Sequence, residues 1–177
     1  MKTTTNSDKN KMTITFIQTG GTIDKDYPHT SKGWAFEIHE PALERVLEKL
    51  NPSFEFNVVS AFKKDSLEIT NDDLKKLREI IEQVNSDKII ITHGTDTMAK
   101  TASFISDLGV NKTIVITGSM RPQKFVDTDA DVNLGMAIAA VQTSERGVFL
   151  CMHGIVIPEE LIDRDMTTGK YFKKAEK

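Results

Sequence analysis

Short β-branched runs alternate along this chain with longer amphipathic stretches, and that alternation restricts it to a parallel sheet covered by helices. The runs lie at about 13–18, 55–60, 88–92, 113–117 and 147–152. Between them the spacing predicts helices near 40–50, 71–85, 96–108 and 130–143, each long enough to cross from one parallel strand to the next. The second of these carries its own start signal: Thr70 followed by Asp73 resembles a capping box, and Leu74, Leu77, Ile80, Ile81 and Val84 then recur at helical spacing. Pro52 forbids the first helix from running on past Leu50, and Gly109 supplies a left-handed stop after Leu108.

The expected fold is therefore α/β, a three-layer doubly wound and mostly parallel sheet in flavodoxin-like order with helices on both faces. A chain of 177 residues buries one core without staples. Hydrophobic residues make up 38% and charged residues 28%, the balance of an ordinary globular domain, and no run approaches the roughly 18 apolar residues of a membrane span. The net charge of −3, with lysines interspersed among acids, argues against nucleic acid as a partner. Residues 1–12 are polar and read as a disordered tail, 13–157 as the α/β domain, and 158–177 as a short helix over 159–164 followed by a tail that only a partner would order. One cysteine, Cys151, points to a reducing, cytoplasmic setting.

In open parallel sheets ligands bind beyond the carboxyl ends of the strands. Here those ends are unusually uniform. The first strand ends in Thr19-Gly20-Gly21-Thr22, the third in Thr92-His93-Gly94-Thr95-Asp96-Thr97 and the fourth in Thr117-Gly118-Ser119-Met120, while Asp65-Ser66 follows the second. Any one of these could be a tight turn with a helix cap. Four along one edge are more than capping requires, and would gather hydroxyls and backbone N–H groups in one cleft.

These segments carry a resemblance to a known family. Thr19-Gly20-Gly21-Thr22-Ile23 and His93-Gly94-Thr95-Asp96-Thr97-Met98 are similar to the two signatures of the asparaginase and glutaminase family of threonine amidohydrolases. Gly118-Ser119-Met120-Arg121-Pro122 and the later Asp131, Asn133 and Leu134 resemble its next segments in the same order, so the likeness runs from about 12 to 157. The resemblance implies Thr22 as the nucleophile on the side-chain amide of asparagine, or of glutamine, giving an acyl-enzyme that water hydrolyses. It implies that Thr95 places the water or is an alternative nucleophile, that Asp96 grips the substrate α-amino group, and that Ser66, beside Asp65, holds the α-carboxylate. Gly21, Gly94 and Ser119 are expected to line the substrate. No cofactor and no metal are implied.

Three departures qualify it. The family's lysine after the fifth strand is absent, with Asp163 or Arg164 nearest its place and Lys170 farther on. A guanidinium neutralises a carboxylate but accepts no proton near neutral pH. The family's mobile tyrosine is represented only by Tyr27, in a connection over 24–39 long enough to be an active-site lid. The family's C-terminal domain has no counterpart, so a homodimer or homotetramer is expected to close the cleft. Alternative readings are a catalytically weak or inactive amino-acid-binding module of the same fold, or a component of an amidotransferase. His29, His39, His93 and His153 lack metal-ligand spacing, His93 suits a backbone-bonding role better than a base, and Cys151 reads as a small buried residue.

Overall fold

Each of the five apolar runs forms a strand in the computed structural model, which describes residues 11–31 and 33–175. Strands β1 (Thr13–Gly20), β2 (Glu55–Lys64), β3 (Lys88–Thr92), β4 (Thr113–Thr117) and β5 (Gly147–Met152) pair in parallel in the order β2-β1-β3-β4-β5. That is the expected doubly wound order. A sixth strand, β6 (Ile155–Pro158), turns back antiparallel to β5 and forms the edge. Helices α1 (Ala42–Leu50), α2 (Asn71–Gln83), α3 (Met98–Ser106) and α4 (Ala130–Thr143) fall where the spacing placed them.

The strands are apolar on both sides because both sides are covered. Ile17, Ile89, Ile91 and Ile116 face Leu77 and Ile81 of α2 and Met98 and Ile105 of α3. Phe16, Ile90 and Val115 point the other way, onto Leu43 and Leu47 of α1 and Leu134 and Val141 of α4. Alternation of successive side chains across the sheet thus builds two cores from one strand sequence. The helix ends follow local chemistry. Thr70 and Asp73 form the capping box, with Lys64 at the end of β2 bonded to the same Asp73 carboxylate at 2.8 Å. Asn51 is left-handed before Pro52, and Gly109 is left-handed at φ 62° just beyond α3.

One stretch differs from expectation. The 159–164 helix is only a single turn, Glu159–Leu161, after which β7 (Ile162–Arg164) pairs antiparallel with β8 (Tyr171–Lys173). Burial is the reason: Ile162 and Tyr171 enter the core on the α3 side, Tyr171 at 2% exposure, so the segment is ordered by its own chain rather than by a partner. The 24–39 connection is a short ribbon, in which Lys25–Asp26 pairs with Glu37–Ile38 and His29–Thr30 with Gly33–Trp34. Of the expected 1–12 tail, residues 1–10 lie outside the described residues, while Met12 packs against the core. Among the described residues no helix is long and apolar enough to cross a membrane.

Register places the loops. Gln18, Thr92, Thr117 and Cys151 lie side by side across β1, β3, β4 and β5, so the chain leaves all four strands at one level. The loops that follow have nowhere to go but against one another.

Candidate functional site

The loops after β1 and β3 approach each other closely. Gly21 has φ 87°, a conformation that side chains disfavour, and its amide donates to the Lys64 carbonyl at 3.0 Å. A methyl group on Gly21 would stand 2.3 Å from the Gly94 nitrogen and 2.4 Å from its Cα, distances that no real Cβ tolerates. The two backbones are therefore in direct contact. Thr22 and Thr95 each follow one of the touching glycines, so their Cα atoms lie no farther apart than roughly 12 Å. On its other side Gly94 meets the loop after β2, where a methyl would stand 2.7 Å from the Ser66 Cβ.

Ser66 ties the second and third loops together. It is buried, its hydroxyl accepts the Asp96 N–H at 3.3 Å, and its carbonyl accepts the Thr97 hydroxyl at 3.0 Å. Asp65 caps the turn Ser66–Glu68 through the Leu67 N–H and lies 3.6 Å from Lys25 of the ribbon. Ser119 is fully buried and its hydroxyl bonds the Arg121 carbonyl, which stiffens the fourth loop. The hydroxyls of Thr22 and Thr95 differ from these: both residues are part-exposed, and neither hydroxyl has a hydrogen bond to protein among the described residues.

His93 is structural. Fully buried, it shares a 2.7 Å hydrogen bond between Nδ1 and the Gly94 carbonyl, which can only accept, so Nδ1 carries the proton and Nε2 accepts from the Thr101 hydroxyl at 2.9 Å. Burial pushes the ring from its ordinary 6.5 down to about 4, against the raising effect of the Gly94 bond. The neutral ring fixes the carbonyl that precedes Thr95. Cys151, with its thiol pushed up to about 12 by burial, is inert.

The β7–β8 hairpin brings a cation, Arg164, to Asp96. Arg164 Nη2 meets the Asp96 carboxylate at 3.0 Å and Nη1 meets the Asp96 carbonyl at 3.1 Å, while the guanidinium lies 5.4 Å over the Tyr171 ring. Tyr171 in turn donates its hydroxyl to the Thr95 carbonyl at 2.7 Å. One ion pair and one phenol thus hold the backbone on both sides of the Thr95–Asp96 peptide. Sequence reasoning misses Tyr171, although the pairs Leu161-Ile162 and Tyr171-Phe172 around Gly169 carry a hairpin pattern. It also misses Asp129, which accepts the Met120 N–H at 3.0 Å and the Arg121 N–H at 3.1 Å and shapes the fourth loop.

Tyr27 sits on the ribbon, 57% exposed, stacked on Trp34 at 6.2 Å and tilted against Phe36 at 6.3 Å. The cluster continues through Phe36 to Phe125 of the fourth loop at 6.4 Å. Among the described residues its phenol makes no bond to Thr22. Groups of three or more His, Cys, Asp or Glu side chains able to hold a metal do not occur among the described residues.

Comparison with known proteins follows the same lines. The family described as "Asparaginase, N-terminal" matches residues 13–170. A glutaminase-asparaginase of Acinetobacter glutaminasificans is 28% identical over 170 residues, covering 90% of this chain and 50% of that protein. A component of the glutamyl-tRNA(Gln) amidotransferase of Methanosphaera stadtmanae is 34% identical over 154 residues, covering 84% of this chain and 34% of that protein. The structure of the thermostable L-asparaginase from Thermococcus kodakarensis superposes with a TM-score of 0.75 at 25% identity, over 86% of this chain and 48% of the other. The chain spans half or less of the length of these curated relatives.

Two outcomes follow from the loop geometry. Gly21→Ala combines a strained φ with a backbone clash, so urea denaturation is expected to show a loss of more than about 2 kcal/mol; a loss within about 0.5 kcal/mol would mean the loops are not in contact. For His93, the folded value lies below the unfolded one, so its contribution to stability is present above 6.5 and is lost as pH falls toward about 4. The stability gap between wild type and His93→Asn is therefore expected to narrow over that window, and a gap constant with pH would refute a neutral buried ring.

Proposed function

Because the chain belongs to the asparaginase family, through that family's N-terminal domain, we propose that it hydrolyses the side-chain amide of asparagine, with glutamine the second candidate, to the acid and ammonia. The observation that supports this reading is the backbone contact of Gly21 with Gly94, the residues that precede the part-exposed Thr22 and Thr95. In the proposal Thr22 Oγ1 attacks the amide carbon, ammonia leaves, and water directed by Thr95 releases the acid from the acyl-enzyme. A hydroxyl attacks well only where its proton is taken and the oxyanion is held. Gly21, Gly94 and Ser119 belong to the loops that would line the substrate and supply backbone donors, Asp96 and Ser66 would grip its amino and carboxylate ends, and Tyr27 would complete the catalytic set from the ribbon.

Arg164 bears on rate. It supplies the positive charge beside Asp96 but cannot receive a proton in the course of the reaction. That favours one second reading, a module that binds the amino acid and turns it over slowly or not at all. A component of a larger amidotransferase would use the same amide chemistry. Association into a homodimer or homotetramer, which would cover the exposed Tyr27, Trp34 and Phe36 rings beside the cleft, and a cytoplasmic setting, consistent with the single buried Cys151, are parts of the same proposal.

Purified protein is expected to release ammonia from asparagine or glutamine, and Thr22→Ala to lower that release by more than about a thousandfold with the fold intact by circular dichroism. Binding of asparagine by calorimetry without ammonia release would favour the module. Release undiminished in Thr22→Ala would remove Thr22 from the mechanism.

A further inference from the structure

Asp24 lies just beyond Thr22, at the end of the turn Thr22–Asp24, and is wholly buried. Its bonds run in three directions. Its amide donates to the Gly21 carbonyl at 3.2 Å, closing the turn that carries Thr22, and its carbonyl accepts the His39 N–H at 3.0 Å, joining the two feet of the 24–39 ribbon. Its Oδ1 accepts the Ala42 N–H at 2.7 Å, in the first turn of α1. Pro41, at the N-cap of that helix, provides no side-chain cap. Asp24 fills that role from a different element, where a carboxylate is favoured by the helix dipole.

The second carboxylate oxygen, Oδ2, is buried without a hydrogen-bond partner, and so is Nη2 of Arg45 on α1. Of the neighbouring donors, Gln18 of β1 gives an amide N–H to the His39 carbonyl and also favours the Asp24 anion, Arg45 Nε gives to Gln123, and Lys63 of β2 pairs with Glu40. Arg45 and Lys63 are the charged groups that act on the carboxyl, both at a remove. Such an unpaired buried oxygen is costly as an anion and cheap as an acid.

We propose that Asp24 is a positioning residue, which locks the Thr22 turn and both feet of the ribbon onto the start of α1 through its single buried carboxyl. The tie itself is independent of the catalytic reading; its consequence for turnover rests on Thr22 being the nucleophile. Burial raises this carboxyl from 3.8 to about 6, with the Ala42 bond, Gln18, Arg45 and Lys63 opposing. A raised folded value means that the closed arrangement holds the proton more tightly than an opened, hydrated one. The advantage of the closed arrangement is full below 3.8, declines as pH rises to about 6, and is level above. Over that window the opening equilibrium shifts by up to about a hundredfold.

Hydrogen exchange reads this without substrate, so its result stands whether or not the chain is an amidohydrolase. Protection of the His39 and Ala42 amides, corrected for intrinsic exchange, is expected to fall by up to about a hundredfold between about pH 4 and about pH 6.5 in the wild type. Asp24→Asn, which keeps an acceptor for Ala42 but cannot titrate, is expected to abolish that fall, and the Leu74 amide of α2 to follow neither. Protection independent of pH in the wild type, or an equal fall in Asp24→Asn, would overturn the proposal. A carbon-13 titration of the wild-type Asp24 carboxyl decides without any variant: a midpoint near 6 supports the tie, and one near 3.8 overturns it.

Discussion

The contact between Gly21 and Gly94 is the constraint from which the rest of this edge follows. Two loops that leave adjacent strands at the same level can approach to backbone distance only if neither carries a side chain at the junction. Once they touch, the residues that follow each glycine are held near one junction, and the loop carrying Ser66 closes on the same junction from β2. The sheet contributes the level; the glycines contribute the closeness. Neither alone would bring the two loops into backbone contact.

Around that junction every other group serves to hold backbone. His93 stays neutral so that it can grip the Gly94 carbonyl, Ser119 braces the fourth loop, and Tyr171 with Arg164 clamps the Thr95–Asp96 peptide from the hairpin. Asp24 does the equivalent on the β1 side. The contrast is with Thr22 and Thr95, whose hydroxyls bond to no protein group among the described residues. Part-exposed hydroxyls with no protein partner, held on loops whose backbone is tied down by these groups, are available to something outside the protein itself. Support on both sides of the free hydroxyls is what the proposed amide hydrolysis would draw on for orientation.

Much of this is legible in the residues alone. The strand and helix order follows from periodicity, and the capping box at Thr70 and Asp73 carries its own signature. The converging loops are marked by their glycines. What escapes depends on contacts between residues far apart in sequence. Nothing local in Ile162 or Tyr171 says that they bury together, and a polar stretch between them reads as a tail until the two short strands pair. Asp24 carries no local mark of burial, because only the fold brings the start of α1 onto its carboxylate. The family resemblance left Asp163 and Arg164 both near the missing lysine's place; that Arg164 is the one that meets Asp96, and that Tyr171 bonds Thr95, required the hairpin.

The most direct test of the central claim is a crystal structure of the chain grown with aspartate. One aspartate is expected at the Gly21–Gly94 junction, with its side-chain carboxylate within hydrogen-bond distance of both the Thr22 and the Thr95 hydroxyls. Aspartate bound at this edge but touching only one of the two threonines, or bound elsewhere on the molecule, would contradict it.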